Sequence, residues 1–149
     1  MRRKPLINVA IVILNENKNK ILLGKGRNYW NLVQSGLQLN ENFENCAKRC
    51  LYEQVGLRVD SQMLKFLCTF NAVDKDKSFH SVEIYYLLEL DEKLEKFIFN
   101  KYKFFIENWV WIDFGELSEI ENDLFTGFRI FLKKFKISSF DNIKSIQSN

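Results

Sequence analysis

Residues Ser35–Leu57, SGLQLNENFENCAKRCLYEQVGL, decide how this chain is to be read. Apolar residues recur at helical spacing from Phe43 to Val55, and Gly56 supplies a C-terminal cap. Asn40 or Asn42 serves as the N-cap, because a short side-chain oxygen can satisfy a free backbone N–H of the first turn. On such a helix residues four apart share a face, and adjacent residues stand about 100° apart. Arg49 and Glu53 therefore form one pair, and Cys50 and Gln54 the adjacent pair. Glu41 lies upstream in the loop, within reach of Arg49. An Arg–Glu pair at this spacing occurs on any solvated helix and contributes only about 0.3–0.5 kcal/mol.

Outward from this segment, Leu6–Leu14 is a β-branched apolar run and reads as a buried strand. Asn15–Asn19 is rich in turn residues, and Lys20–Gly24 is its hairpin partner. Gly24–Asn28 reads as a loop and Tyr29–Val33 as a short strand. Leu64–Ala72 and Ser81–Leu90 are two further strands around a charged loop, and Trp109–Ile112 is another. Asn122–Phe135 has helical spacing, with Leu124, Phe128, Phe131 and Leu132 on one face. Asp91–Phe105 mixes charges with Phe97, Phe99, Phe104 and Phe105 and receives no assignment. Strands, helix, strands, helix suit an α/β domain with a mixed sheet between helices.

The 149 residues make one domain, with a core over about 5–136 and a C-terminal tail over 137–149. Hydrophobic residues are 46% and charged residues 28%, a globular composition rather than a disordered one. A net charge of +3 with dispersed basic residues gives weak support to nucleic-acid binding. No apolar run approaches the roughly 18 residues of a membrane span. No secretory h-region follows the basic start. The three cysteines, Cys46, Cys50 and Cys68, are odd in number and build no disulfide framework. They read as reduced thiols of a cytoplasmic protein.

The segment that opens the reading resembles the Nudix box, G-x5-E-x7-R-E-U-x-E-E-x-G-U with U aliphatic. With Gly56 and Leu57 on the final G-U, Glu41, Arg49, Leu51 and Glu53 fall on their motif positions without a gap. Three positions depart: Ser35 replaces the opening Gly, Cys50 the Glu after the Arg, and Gln54 the last Glu. NFENCAKR, the hairpin VAIVILN…KILLGKG…YW, and the later FHSVEIYYLLEL and ENWVWIDFGEL resemble MutT-like nucleotide diphosphatases. The likeness covers roughly residues 5–135.

The resemblance implies a Nudix α/β/α sandwich around a mixed sheet. It also implies a ligand in which a nucleoside diphosphate is linked to another moiety. In such a box the carboxylates at positions 50 and 54 would share one face and hold Mg²⁺ or Mn²⁺, hard cations that prefer oxygen ligands. The metal would clamp the diphosphate and activate water. Cys50 offers a soft thiol, a poor ligand for Mg²⁺. Gln54 offers a neutral carbonyl oxygen. Glu53 is the candidate for residual chemistry, with Gln54 beside it as a metal contact, and Glu41 and Arg49 form the scaffold of the box. Val33-Gln34-Ser35 stands where relatives carry P-G-G, the turn that supplies a backbone carbonyl ligand. Glu107 is the one acid close before the Trp109–Trp111 strand.

Mg²⁺-dependent diphosphatase activity is therefore expected to be weak or lost. The alternatives are an inactive nucleotide-binding or protein-interaction module, and a GDP-sugar hydrolase. GDP-mannose mannosyl hydrolases resemble this chain in lacking the Glu after the Arg, but they usually keep the last Glu. Lys25 and Arg27, after the second strand, are candidate phosphate contacts. Trp30 is a candidate base-stacking residue beside Trp109, Trp111 and Phe114, and two of every three such aromatics belong to core. Cys46, Cys50 and His80 fall short of a soft-metal set. Arg129, Lys133, Lys134 and Lys136 form the solvated face of the last helix.

Overall fold

The computed structural model describes residues 4–76, 78–96, 98 and 106–147, with the backbone alone given for Ile106 and Glu107. Phe97, Phe99, Phe104, Phe105 and the side chain of Glu107 lie outside the described residues.

The central strand β1 (Leu6–Leu14) is buried on both faces from Val9 onward, as a continuous apolar run requires. It pairs in parallel with β6 (His80–Glu89), from Leu6 opposite Ser81 to Leu14 opposite Glu89. β5 (Leu64–Val73) lies antiparallel on the far side of β6. On its other edge β1 meets β2 (Lys20–Gly26) at Leu14–Ile21, and β4 (Val33–Gly36) across Asn8–Ile11. Beyond the hairpin β2 leaves β1. It pairs instead with β3 (Trp30–Asn31) and with β7 (Ile106–Asp113). The sheet is mixed, in the order β3-β2-β1-β6-β5, with β4 on β1 and β7 on β2.

Side-chain alternation along β1 assigns the two layers. Val9, Ile11 and Ile13 pack on Cys46, Ala47, Cys50, Leu51 and Val55 of α1 (Phe43–Val55). Ala10, Val12 and Leu14 face the opposite core. There Phe128 and Phe131 of α3 (Thr126–Lys134) meet Ile143 of α4 (Phe140–Gln147). Helices thus cover both faces, giving the α/β/α arrangement. A single turn of helix, α2 (Glu92–Glu95), follows β6.

Several expectations are corrected in detail. β2 runs on to Gly26, so the loop expected from Gly24 starts later, because Gly24 and Lys25 pair with Asn31 and Trp30. The strand expected over Tyr29–Val33 is two strands, β3 and β4. The last periodic segment becomes an α-helix only at Thr126. Upstream of it, Leu124 bridges to Trp30, and the Phe125 N–H donates to the Trp30 carbonyl at 2.9 Å. That pins the chain to β3 in an extended form. The segment expected as a tail carries α4, with Ile143 fully buried against the core.

Candidate functional site

The N-cap of α1 is Asn42, whose Oδ1 accepts from the Asn45 N–H at 2.8 Å. Asn40 instead holds a positive φ of 64° in the loop before it. Gly56 closes the helix at φ 71°, in the left-handed region where a Cβ is disfavoured. These ends fix the helix so that Arg49 looks back at the preceding loop.

Arg49 is the hub of that loop. Its Nε and Nη2 donate to the two Glu41 oxygens at 2.7 and 3.0 Å, a bidentate pair. Nη2 also reaches the Gly36 carbonyl at 3.2 Å, and Nη1 reaches Ser35 Oγ at 3.4 Å and Glu53 Oε2 at 3.3 Å. Glu41 Oε1 accepts in addition from the Gln38 N–H at 3.1 Å. The Arg49 guanidinium holds the Glu41 carboxyl well below its usual 4.5, at about 2. Glu53, by contrast, is 57% exposed at its side chain, beside the guanidinium.

The second helix pair separates. Gln54 turns its amide inward, and Nε2 donates to the backbone carbonyl of Gln34 at 2.7 Å. A carbonyl can only accept, so the nitrogen and not the oxygen faces the turn. Gln54 is the expected metal contact through its carbonyl oxygen, and its amide nitrogen is engaged by the Gln34 carbonyl. Cys50 is 0% exposed, inside the contact between α1 and the sheet. Its thiol is pushed up by its hydrogen-bonded neighbour Cys46 and by burial, so it stays protonated and uncharged. Cys46 is also buried and takes part in the Arg49 network through Nη2 at 3.5 Å.

This donor set does not fit Mg²⁺. Of the helix positions 50, 53 and 54, only Glu53 offers a carboxylate. The carbonyl of Gln34 is already bound to an N–H donor. Among the described residues no group of three or more His, Cys, Asp or Glu side chains is placed to hold a metal ion.

Of the three candidate ligand contacts, two come together. Lys25 and Trp30 are register partners across β2 and β3, and Lys25 Nζ lies over the Trp30 ring, 4.8 Å from its centroid. Arg27 is exposed in the turn beyond them. Trp30 is half-buried against the α3-side core. Trp109 and Trp111 pack partly against the α1-side core, and Phe114 is buried. His80 opens β6 in an exposed position.

Sequence reasoning missed a polar row on the sheet face that α3 covers. Glu83 is 0% exposed, and its Oε1 accepts from Ser81 Oγ at 3.1 Å. Its Oε2 accepts from Asn8 Nδ2 at 2.7 Å, and Nδ2 also donates to Gln34 Oε1 at 2.9 Å. Gln34 Nε2 in turn approaches Asn31 Oδ1 at 3.5 Å. Burial pushes the Glu83 carboxyl up, against the lowering effect of its Asn8 and Ser81 donors. The signal in the sequence was an Asn within LINVAIVIL and a Glu within HSVEIYYLLE, each at a core-facing strand position. Gln34 joins this row to the loop–helix segment, since its side chain lies in the row while its carbonyl receives Gln54.

The family model described as "NUDIX domain" matches residues 4–134. Among solved structures, the chain is similar to a MutT NUDIX hydrolase from Burkholderia pseudomallei, with 20% identity and a TM-score of 0.67. That match covers 88% of this chain and 98% of the other. A MutT/nudix family protein from Enterococcus faecalis matches with 23% identity and a TM-score of 0.62, over 76% of this chain but 45% of its own. A third is a bifunctional NMN adenylyltransferase/ADP ribose pyrophosphatase from Francisella tularensis, complexed with AMP and a Mn ion. It is 14% identical with a TM-score of 0.62, over 89% of this chain and 42% of that one. The chain thus spans less than half the length of two of these proteins, and at such identities the likeness is one of fold.

Proposed function

The chain belongs to the Nudix family, and we propose that it binds a nucleoside diphosphate linked to another moiety, with metal-dependent diphosphatase activity weak or lost. The observation that carries this reading is the 2.7 Å bond from Gln54 Nε2 to the Gln34 carbonyl. An uncharged N–H donor occupies one side of the carbonyl that a cation would need, and ties β4 to α1 where a carboxylate would bring negative charge. Cys50 adds to this, since a buried neutral thiol supplies no oxygen and no charge. With two anions gone, Mg²⁺ or Mn²⁺ would meet Glu53 alone, and Glu53 already pairs with Arg49. Without bound metal, charge neutralisation of a diphosphate falls to cationic side chains, for which Lys25 and Arg27 are the candidates.

Glu41 and Arg49 hold the loop against the helix. Lys25, Arg27 and Trp30 offer charge and a ring face to the ligand. The reaction in which water attacks phosphorus lacks its activating group.

The test is a panel of nucleotides, nucleotide sugars, ADP-ribose and dinucleoside polyphosphates, offered with Mg²⁺ and then Mn²⁺. Binding is followed by calorimetry and turnover by product analysis, with Glu53→Gln beside the wild type. Binding with little or no turnover is expected. Fast turnover abolished by Glu53→Gln would overturn the reading, and so would well-folded protein that binds no member of the panel. The last result would point to a protein-interaction module.

A further inference from the structure

Glu83 is the one fully buried carboxylate among the described residues, and nothing in the loop–helix segment uses it. It sits at the head of the amide row Asn8, Gln34 and Asn31, whose members are all partly exposed. Phe125 lies close to Gly127, the α3 glycine that abuts the Glu83 carboxyl. Phe79 meets Phe125 edge to face, with ring centroids 5.6 Å apart. The face is thus a row of hydrogen-bonding amides with aromatic rings beside it. Such a surface suits a planar heterocycle.

An amide can face its neighbours either way round, and a row of amides has two self-consistent polarities. An ionised carboxylate only accepts. It therefore compels Asn8 to turn Nδ2 toward it, and both Nδ2 hydrogens are then committed, to Glu83 and to Gln34 Oε1. That in turn compels Gln34 to point Nε2 toward Asn31. Asn8 Oδ1 is left as an acceptor and the second Gln34 Nε2 hydrogen as a donor. The carboxyl rests against Gly127 in the first turn of α3, and both side-chain bonds it makes are donated to it, by Asn8 and Ser81.

We propose that Glu83 is a positioning residue that fixes this polarity, so that the row distinguishes nucleobases bearing an exocyclic amino group from those bearing an oxo group. The inference rests on the nucleotide-binding reading above and deepens it. Adenine and cytosine present an amino donor beside a bare ring nitrogen. Hypoxanthine and uracil present an oxo acceptor beside a ring N–H. For a base held in place by its ribose and phosphates, these patterns are opposite in sense, and one polarity of the row satisfies only one of them. The disfavoured base leaves polar groups unpaired, a loss of about tenfold in affinity for each mismatched hydrogen bond.

The experiment titrates wild type, Glu83→Gln and Asn8→Ser with ADP against IDP and CDP against UDP, in EDTA, with pyrophosphate as a base-free control. Glutamine is isosteric and keeps the packing, but it can present either an oxygen or an N–H to Asn8. The wild type is expected to favour the same substituent class in both pairs by about tenfold or more. Both variants should bring those ratios toward unity while leaving pyrophosphate affinity unchanged. A purely structural Glu83 would lower all affinities together and leave the ratios intact. Equal wild-type affinities within each pair would overturn the proposal, as would a ratio that survives Glu83→Gln, with nucleotide binding itself left standing. Wild type that binds pyrophosphate and none of the four nucleotides, or nothing at all, would overturn nucleotide binding and this proposal together.

Discussion

Replacing Gly127 by alanine tests the packing of Glu83 directly. The added Cβ would fall inside van der Waals contact of Glu83 Oε1 and 3.2 Å from Cδ. The carboxyl is fully buried and held by Asn8 and Ser81, so it cannot swing away cheaply. Overpacking of this kind costs roughly 1–3 kcal/mol. Alanine's better helix propensity returns up to about 1 kcal/mol, and less so near close to the N-terminus of α3. A net loss of about 1–2 kcal/mol follows, which for a domain of this size lowers Tm by roughly 2–4 °C per kcal/mol. The sign should reverse once the carboxylate is removed. In a Glu83→Ala background the added methyl partly fills the space left behind, and Gly127→Ala should stabilise. Urea or thermal unfolding of the four proteins gives the coupling energy. A Gly127→Ala protein more stable than wild type, or an equal effect in both backgrounds, would refute the placement of Glu83 against α3.

Other consequences can be measured on the same material. The Glu41 carboxyl is held at about 2 by Arg49, so the unfolded chain takes up its proton first as pH falls. The stabilisation it gives is complete above the usual carboxyl value of 4.5 and disappears toward pH 2; Glu41→Gln should be less stable at neutral pH and show a flatter acid limb in unfolding curves. Glu83 has the opposite sign. Its raised value gives a contribution present at low pH and lost as pH rises through the folded value, so Glu83→Gln should gain stability over wild type toward neutral pH. Tyr85 Oη is buried with no hydrogen-bond partner among the described residues. Tyr85→Phe should therefore leave the free energy of unfolding unchanged or raise it by up to about 1 kcal/mol, and a marked loss would reveal a partner for the hydroxyl. Gly56→Ala should cost about 1 kcal/mol, because φ 71° places its Cβ in the left-handed region.

The strands and α1 were legible because their signals are local. LINVAIVIL and HSVEIYYLLE carry strand composition, and the span of α1 follows from apolar spacing ended by Gly56. Glu41 and Arg49 were legible as neighbours because a loop of fixed length sets their distance. Long-range pinning was not. Nothing near Asn122 announces that Trp30 will hold Leu124 and Phe125 extended, so the start of α3 was placed too early. The surroundings of the second α1 pair were hidden for a related reason. Helical spacing puts Cys50 and Gln54 on one stripe, but it does not say that the stripe turns under the sheet edge, burying the thiol and pointing the amide at Gln34. Asn8 and Glu83 stood in plain view as polar residues in apolar strands, yet their meeting depends on the β1–β6 register.

That register has a consequence for how the chain reaches its fold. β1 is the centre of the sheet, and its parallel partner is joined to it by contacts such as Asn8–Glu83, 75 residues apart. During synthesis this apolar strand emerges well before β6 and waits for it. Pairings of such sequence separation are slow to form, and an unpartnered hydrophobic strand invites association with other chains meanwhile. The β1–β2 hairpin, which joins at Leu14–Ile21 before the strands part, gives little cover during that interval. The yield of soluble protein should therefore respond to translation rate and to chaperone supply more than to the final stability of the domain.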